Sequence, residues 1–250
     1  MDSVTGSRPN DFLSLPLSDP GVEGLIRWLV ESPDRSHPRT AAYLNAHTVN
    51  LALRDASRMA PLWRNMDLLY PDGMSVVRAA GRMGLPVRHR VSAAGFFRRF
   101  CWAAAARGRS IALVGGTEAV VDGCATHLLA EVPGLQIAFS HHGFFKPGKE
   151  EDAVRRGLRA AAPDITLLGM GSPRQEALAL RLRDEDSIPT VWCVGALFEY
   201  HSPGKRRLAP VWMRESGLEW AFRLAQEPRR LARRYLMGNA EFLLRCRGWI

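Results

Sequence analysis

From residue 40 onward the apolar positions gather into short dense runs: TAAYLN (40–45), DLLY (67–70), SIALVGG (110–116), LQIAFS (135–140), DITLLGMG (164–171) and TVWCVG (190–195). Between them lie longer stretches, 49–59, 73–82, 93–108, 118–131, 150–161 and 174–183, that read as helices, the third ending at Gly108. Short apolar strands alternating with such helices predict right-handed βαβ crossovers and an α/β fold built on a mainly parallel, Rossmann-like sheet. Ahead of this series, residues 1–19 read as a loose lead-in, 25–30 as a short helix and 33–38 as a loop. After Gly195 the rhythm changes. Residues 196–210, with Pro203-Gly204, read as a loop, and two helical stretches, 211–226 and 228–247, follow without a strand. The expected division is an α/β domain over 1–200 and a basic helical appendage over 201–250.

Bulk properties narrow the class. The chain has 250 residues, 46% of them apolar and 24% charged, enough for a proper core. No run reaches the ~18 to 20 apolar residues that span a bilayer. The start, MDSVTGSRPNDF, lacks a basic segment followed by an apolar stretch, so no secretory signal is expected. Cys101, Cys124, Cys193 and Cys246 are scattered without a C-x-x-C pair and read as free thiols in a reducing compartment, which points to the cytoplasm. The net charge of +9 is concentrated: residues 201–250 carry eleven Lys or Arg against four Asp or Glu. Nucleic acid, anionic lipid and phosphorylated substrates all attract such a patch. Nearly every base is Arg, which grips phosphate with a planar fork, although codon bias would give the same excess. Stretch 228–247 carries Arg229, Arg230, Arg233 and Arg234 among Leu231, Tyr235, Leu236, Phe242 and Leu243. It suits either a membrane surface or a helix packed on the body with solvated arginines.

In a parallel sheet, ligands sit beyond the carboxyl ends of the strands. Asn45, Asp72, Gly115, Gly116, Gly171 and Gly195 all fall there. The turn VGGTEA (114–119) has amides suited to phosphate but is not a G-x-G-x-x-G fingerprint. In GMGSPRQE (169–176), Ser172 and Pro173 suit a helix start, whereas Gln175 is left unexplained by capping. In YPDG (70–73), Asp72 ends a buried strand at the opening of a helix, and the motif alone reads as a helix cap. His141-His142 sits on a strand, where neighbours point to opposite faces, so the pair is a poor chelate and no metal site is expected.

Read together, LNAHTVNLA, YPDGMSVV, RHRVSAAGFF, LVGG, HGFF, PDITLLGMGSPRQE, VGALFEYHSPGKRRLAPVW and GLEWAFRLAQEPRRLARRYL resemble the WecG/TagA/CpsF family of bacterial glycosyltransferases, in its order and spacing from about residue 40 to 236. The resemblance implies transfer of N-acetylmannosamine or a related sugar from a UDP-sugar donor to a polyprenyl-diphosphate-linked sugar acceptor. It implies inversion, no metal and no cofactor. Asp72 matches the family's proposed general base, Asn45 an asparagine that would orient substrate, and Arg90 an arginine that would hold the diphosphate. Gln175 matches a glutamine that would contact sugar or nucleotide. Arg214, Arg223, Arg230 and Arg233 would reach over the pocket while their neighbours touch anionic lipid at the inner face of the cell membrane. Self-association into a homo-oligomer is a family tendency.

Three positions depart from the family pattern. Tyr43 stands where the family has Thr, Ala93 where it commonly has Gly, and Glu199 where Asp is usual. These departures bear on sugar identity more than on reaction type. Two rival readings follow from other features: a nucleic-acid-binding protein using the basic segment, and an inactive scaffold of a polysaccharide assembly complex. The first leaves Asp72, Gln175 and the glycine turns unexplained, so no nucleic-acid partner is expected. Intact Asp72, Asn45, Arg90 and Gln175 speak against the second.

Overall fold

The computed structural model describes residues 10–31 and 34–247; the first nine residues of the expected lead-in and Pro33 of the expected loop lie outside them. The strands are β1 (Asn10–Phe12), β2 (Leu15–Leu17), β3 (Arg39–Leu44), β4 (Leu68–Pro71), β5 (Ser110–Gly115), β6 (Gln136–His141), β7 (Ile165–Gly169) and β8 (Thr190–Cys193). The helices of the body are α1 (Gly21–Val30), α2 (Ala46–Arg54), α3 (Ala60–Arg64), α4 (Met74–Arg82), α5 (Ala93–Ala106), α6 (Glu118–Glu131), α7 (Lys149–Ala161), α8 (Arg174–Asp184) and α9 (Leu197–His201). The C-terminal helices are α10 (Val211–Ser216), α11 (Glu219–Gln226) and α12 (Pro228–Arg247).

Strands β3 to β8 form one wholly parallel six-stranded sheet in the order β4-β3-β8-β7-β5-β6. Helices cover both faces, so strands such as the inner β8 and even the edge strand β4 are buried along their whole length and read as continuous apolar runs. One face packs against α1, α5 and α6 through Leu25, Phe97, Phe100 and Leu128. Trp192 of β8 anchors it: its ring meets Phe100 edge-on at 5.1 Å and its Nε1 donates to the Tyr70 hydroxyl at 2.8 Å. The other face packs against α2, α4, α7 and α8 through Val49, Val76, Leu158 and Leu182.

The long C-terminal helix α12 is docked on this second face. Phe242 and Cys246 of α12 lie in the same buried cluster as the sheet residues. Asn50 Nδ2 donates to the Gly238 carbonyl at 2.7 Å, and Arg54 pairs with Glu241 at 2.6 Å. No helix among the described residues is long and apolar enough to cross a membrane.

The structure corrects several sequence expectations. Part of the lead-in is an antiparallel hairpin, β1–β2, with Phe12, Leu15 and Leu17 wholly buried. Its strands are too short to show a period. Its turn uses Leu13 and Ser14 at φ 53° and 65°, without the Asn-Gly type of signal that marks such turns. The stretch 49–59 ends at Arg54, and a separate α3 follows with Pro61 in its first turn. The expected loop at 196–210 contains α9. The stretch 211–226 is two helices, because Gly217 at φ 82° closes α10 in the left-handed conformation. His141 is the last residue of β6, so strand alternation no longer governs His142, and the two rings sit 4.4 Å apart.

Candidate functional site

The site begins where the sheet changes direction. After β5 the chain runs into α6 on one face, and after the adjacent β7 it runs into α8 on the other. Such a switch point opens a crevice at the carboxyl ends of the strands. Glycines let the backbones close on one another beneath it. A Cβ on Gly115 would lie 2.5 Å from the Gly169 backbone, one on Gly143 2.9 Å from Gly115 Cα, and one on Gly169 2.8 Å from the Gly195 carbonyl. Gly115→Ala is therefore expected to destabilise the fold by about 1–3 kcal/mol through forced backbone displacement, read as a lowered denaturation midpoint with an unchanged urea slope. Gly116 and Gly171, at φ 64° and 78°, turn the chain from these strands towards α6 and α8.

Above the crevice lies a cleft of two lobes. The larger, about 350 Å³, is lined by Tyr43, Gly116, Gly143, Gly171, Arg174 and Glu199 among others. The smaller, about 270 Å³, lies between α4, α11 and α12, against Met74, Arg78, Trp220, Tyr235 and Phe242. Asn45, His47, Asp72, Glu219, Arg223 and Arg234 line both and form the waist between them.

Asp72 follows β4, held by its own N–H donating to the Leu44 carbonyl at 2.8 Å. The residue at the N-cap of α4 is Gly73, and no side chain caps that helix. Capping therefore does not explain Asp72, whose carboxylate is at the waist instead. Burial pushes its pKa up to about 6; Arg90 and Arg223 and a hydrogen bond from Ser92 oppose the shift, and Glu219 reinforces it. At neutral pH the group is an ionised carboxylate more basic than an ordinary aspartate.

Asn45 caps α2: its Oδ1 accepts from the His47 and Thr48 amides at 3.1 Å each, while Thr48 Oγ1 accepts from the Asn45 N–H at 2.9 Å. Its Nδ2 makes no hydrogen bond among the described residues and remains available at the waist. His47 beside it is held neutral, its pKa pulled down to about 4 by burial and by Arg234 and Arg54.

Gln175 is set back from the cleft. Its side chain is wholly buried and lines neither lobe. Oε1 accepts from the Gly195 N–H at 3.0 Å, and Nε2 donates to Glu176 at 2.9 Å and to the Tyr43 hydroxyl at 3.4 Å. It braces the turn after β8 from beneath and positions Tyr43. The Glu176 carboxyl, buried with Oε2 lacking a hydrogen-bond partner, is held above the ordinary range by burial.

Among the expected arginines the structure sorts sharply. Arg90 lines the smaller lobe, but its guanidinium is engaged in an ion pair with Glu219 and donates Nη1 to the Arg214 carbonyl at 2.8 Å. It ties α10 and α11 to the body. Arg214 lines neither lobe and packs over Gly95 of α5, and Arg233 is exposed on the outer side of α12, so neither reaches over the pocket as expected. The side chain of Arg230 lies outside the described residues. Arg223 is in the waist, and its guanidinium makes no hydrogen bond or ion pair among the described residues. Its contact is the Tyr200 ring, 6.0 Å away. Glu199 lines the rim of the larger lobe, paired with Arg206.

Sequence reasoning missed His47, Arg174, Glu219 and Arg234. His47 lies two residues beyond Asn45, in a motif already singled out, and Arg174 lies beside Gln175. Arg174 donates to the Gly143 carbonyl at 2.8 Å and to the Phe145 carbonyl. Glu219 and Arg234 depend on how α11 and α12 are rotated, which no local signal reveals.

The model of the glycosyl transferase WecG/TagA/CpsF family matches residues 10–249. The chain therefore belongs to the WecG/TagA/CpsF family, and is a glycosyltransferase of cell-surface polysaccharide biosynthesis.

Proposed function

We propose that the protein moves N-acetylmannosamine, or a related sugar such as its uronic acid or glucose, from UDP to a polyprenyl-diphosphate-linked sugar, with inversion and Asp72 as general base. The observation that carries this reading is the position of Asp72: an uncapped carboxylate of raised basicity at the one waist where two lobes meet. The larger lobe, floored by glycine turns, takes the UDP-sugar. The smaller takes the acceptor sugar. The acceptor hydroxyl oxygen attacks the anomeric carbon from the face opposite UDP, and its proton passes to the Asp72 carboxylate. The anomeric C–O bond breaks with its electron pair leaving on the β-phosphate of UDP. Arg223, whose guanidinium has no protein anion paired to it, supplies positive charge to that leaving group, so the step needs no metal.

The smaller lobe opens beside exposed Trp220, Leu236, Met237, Leu243 and Leu244 on α11 and α12. With the basic residues of this segment they suit the anionic cytoplasmic surface of the cell membrane, from which a polyprenyl chain would present its diphosphate and sugar. The test is UDP release with a panel of UDP-sugars and a polyprenyl-diphosphate-GlcNAc analogue, in EDTA. Acceptor-dependent release is expected with at least one donor. Release that requires an added divalent ion would overturn the metal-free step, and absence of UDP binding would overturn the reading itself.

A further inference from the structure

Arg223 stands in the waist with no hydrogen bond or ion pair among the described residues to hold it there. Its Nε is buried without a hydrogen-bond partner, and the carboxylates of Glu219 and Asp72 both attract its charge. Glu219 is already paired with Arg90, whereas Asp72 forms no ion pair among the described residues. A cation left to itself beside an unpaired carboxylate closes onto it, and an opposite charge at contact lowers the pKa of the acid. Such a collapse would disable both groups at once, turning the cation away from the larger lobe and weakening the base.

The contact that opposes it is aromatic. Tyr200 of α9 lines the larger lobe, and the Arg223 guanidinium lies over its ring, 6.0 Å from the centroid. Helix α9 follows β8, two strands across the sheet from β4 and Asp72. Ring and carboxylate therefore approach the cation from different parts of the sheet edge.

The ring itself is secured. The Arg206 guanidinium lies 5.4 Å from the same centroid and is anchored in turn by ion pairs with Glu199 and Glu227. The Tyr200 hydroxyl is buried without a hydrogen-bond partner, so the residue contributes the face of its ring. We infer that Tyr200 is the positioning residue for Arg223: its ring keeps the guanidinium over the larger lobe and off Asp72, so that cation and base stay separately available. The inference rests on the roles proposed above for Arg223 and Asp72 and adds the group that keeps them apart.

A guanidinium–ring contact favours one placement of the cation by about two- to thirtyfold. Tyr200→Leu is therefore expected to raise the Kd for UDP and to lower kcat by about that factor. It should also move the acid limb of kcat/KM down by about one pH unit, as Arg223 closes on Asp72. Arg90, Glu219 and Ser92, which also face Asp72, are left in place. Tyr200→Phe, which keeps the face, is expected to match the wild type in all three respects. In an Arg223→Ala background Tyr200→Leu is expected to add nothing. The experiment is calorimetric titration of UDP and the pH profile of kcat/KM for the full chain and these variants. Unfolding midpoints check folding, and Tyr200→Met replaces Tyr200→Leu should the latter not fold. Unchanged UDP affinity in Tyr200→Leu, an equal loss in Tyr200→Phe, or an additive loss in the Arg223→Ala background overturns the positioning role while leaving the donor reading intact. Failure of the wild type to bind UDP overturns both.

Discussion

Asp72→Asn is expected to lose turnover by about 10²–10⁴-fold, the usual contribution of a positioned general base, and to be more stable than the wild type at pH 7. The two effects have one cause. The folded carboxyl has a pKa of about 6 against an ordinary 3.8, because burial penalises its charge. A raised carboxyl pKa means that folding binds protons between those two values. The cost of holding the ionised group in the fold is absent below about pH 4, grows as the pH rises to about 6, and is constant above. Asparagine removes that cost. Since the half-buried site is in part reached by solvent, the gain should be on the order of 2 kcal/mol at pH 7, and it should vanish as the pH falls to 4. Denaturant melts across that range measure it. In the wild type kcat/KM should fall tenfold per pH unit below about 6, as the base of the free enzyme is protonated. A helix cap predicts neither effect: asparagine caps as well as aspartate, so activity and stability would both stay near wild type. Equal turnover by wild type and Asp72→Asn would remove the base from the mechanism.

Arg223→Ala is expected to cost about 10²–10³-fold in kcat, the range seen when one preorganised donor to a developing anion is removed, while leaving stability at pH 7 unchanged or slightly higher. The sign of the second effect separates a binding role from a structural one. Arg90, whose guanidinium is paired with Glu219 and bonded to the Arg214 carbonyl, holds C-terminal helices in place; truncating it strands the Glu219 carboxylate and should destabilise the protein. Arg223 forms no ion pair, so removing it forfeits only its longer-range attraction to the Asp72 and Glu219 carboxylates while lifting the burial cost of its own charge. Arg223→Lys should recover part of the rate, since a point charge replaces the fork incompletely. UDP titration and kcat together check this: loss of stability comparable to that of Arg90→Ala, with kcat unchanged, would place Arg223 among the structural arginines.

Much of the architecture was legible from residue order alone. Inner strands of a parallel sheet are buried on both faces, so they stand out as continuous apolar runs, and their spacing by helices dictates the crossovers. For the same reason Asn45, Asp72 and the glycine turns could be placed together before any coordinates: parallel strands bring all their carboxyl ends to one edge. The β1–β2 hairpin was not legible, because three-residue strands joined by Leu13 and Ser14 carry neither period nor turn signature. Nor was the duty of individual polar residues around the cleft. Gln175 has the motif position of a ligand contact and lies beneath it as a brace. Neighbours in sequence on α12 part company, Arg234 lining the waist and Arg233 facing outward. That outcome follows from the rotation of a helix apolar on more than one side, which is set by Phe242 and Cys246 entering a core that includes residues as distant in sequence as Phe12. The order of residues determined the sheet and its functional edge, since each depends on local period or on a strand end. Only the tertiary structure decided which arginine stands unpaired, which is a latch, and where the two lobes meet, since each depends on the register between distant surfaces.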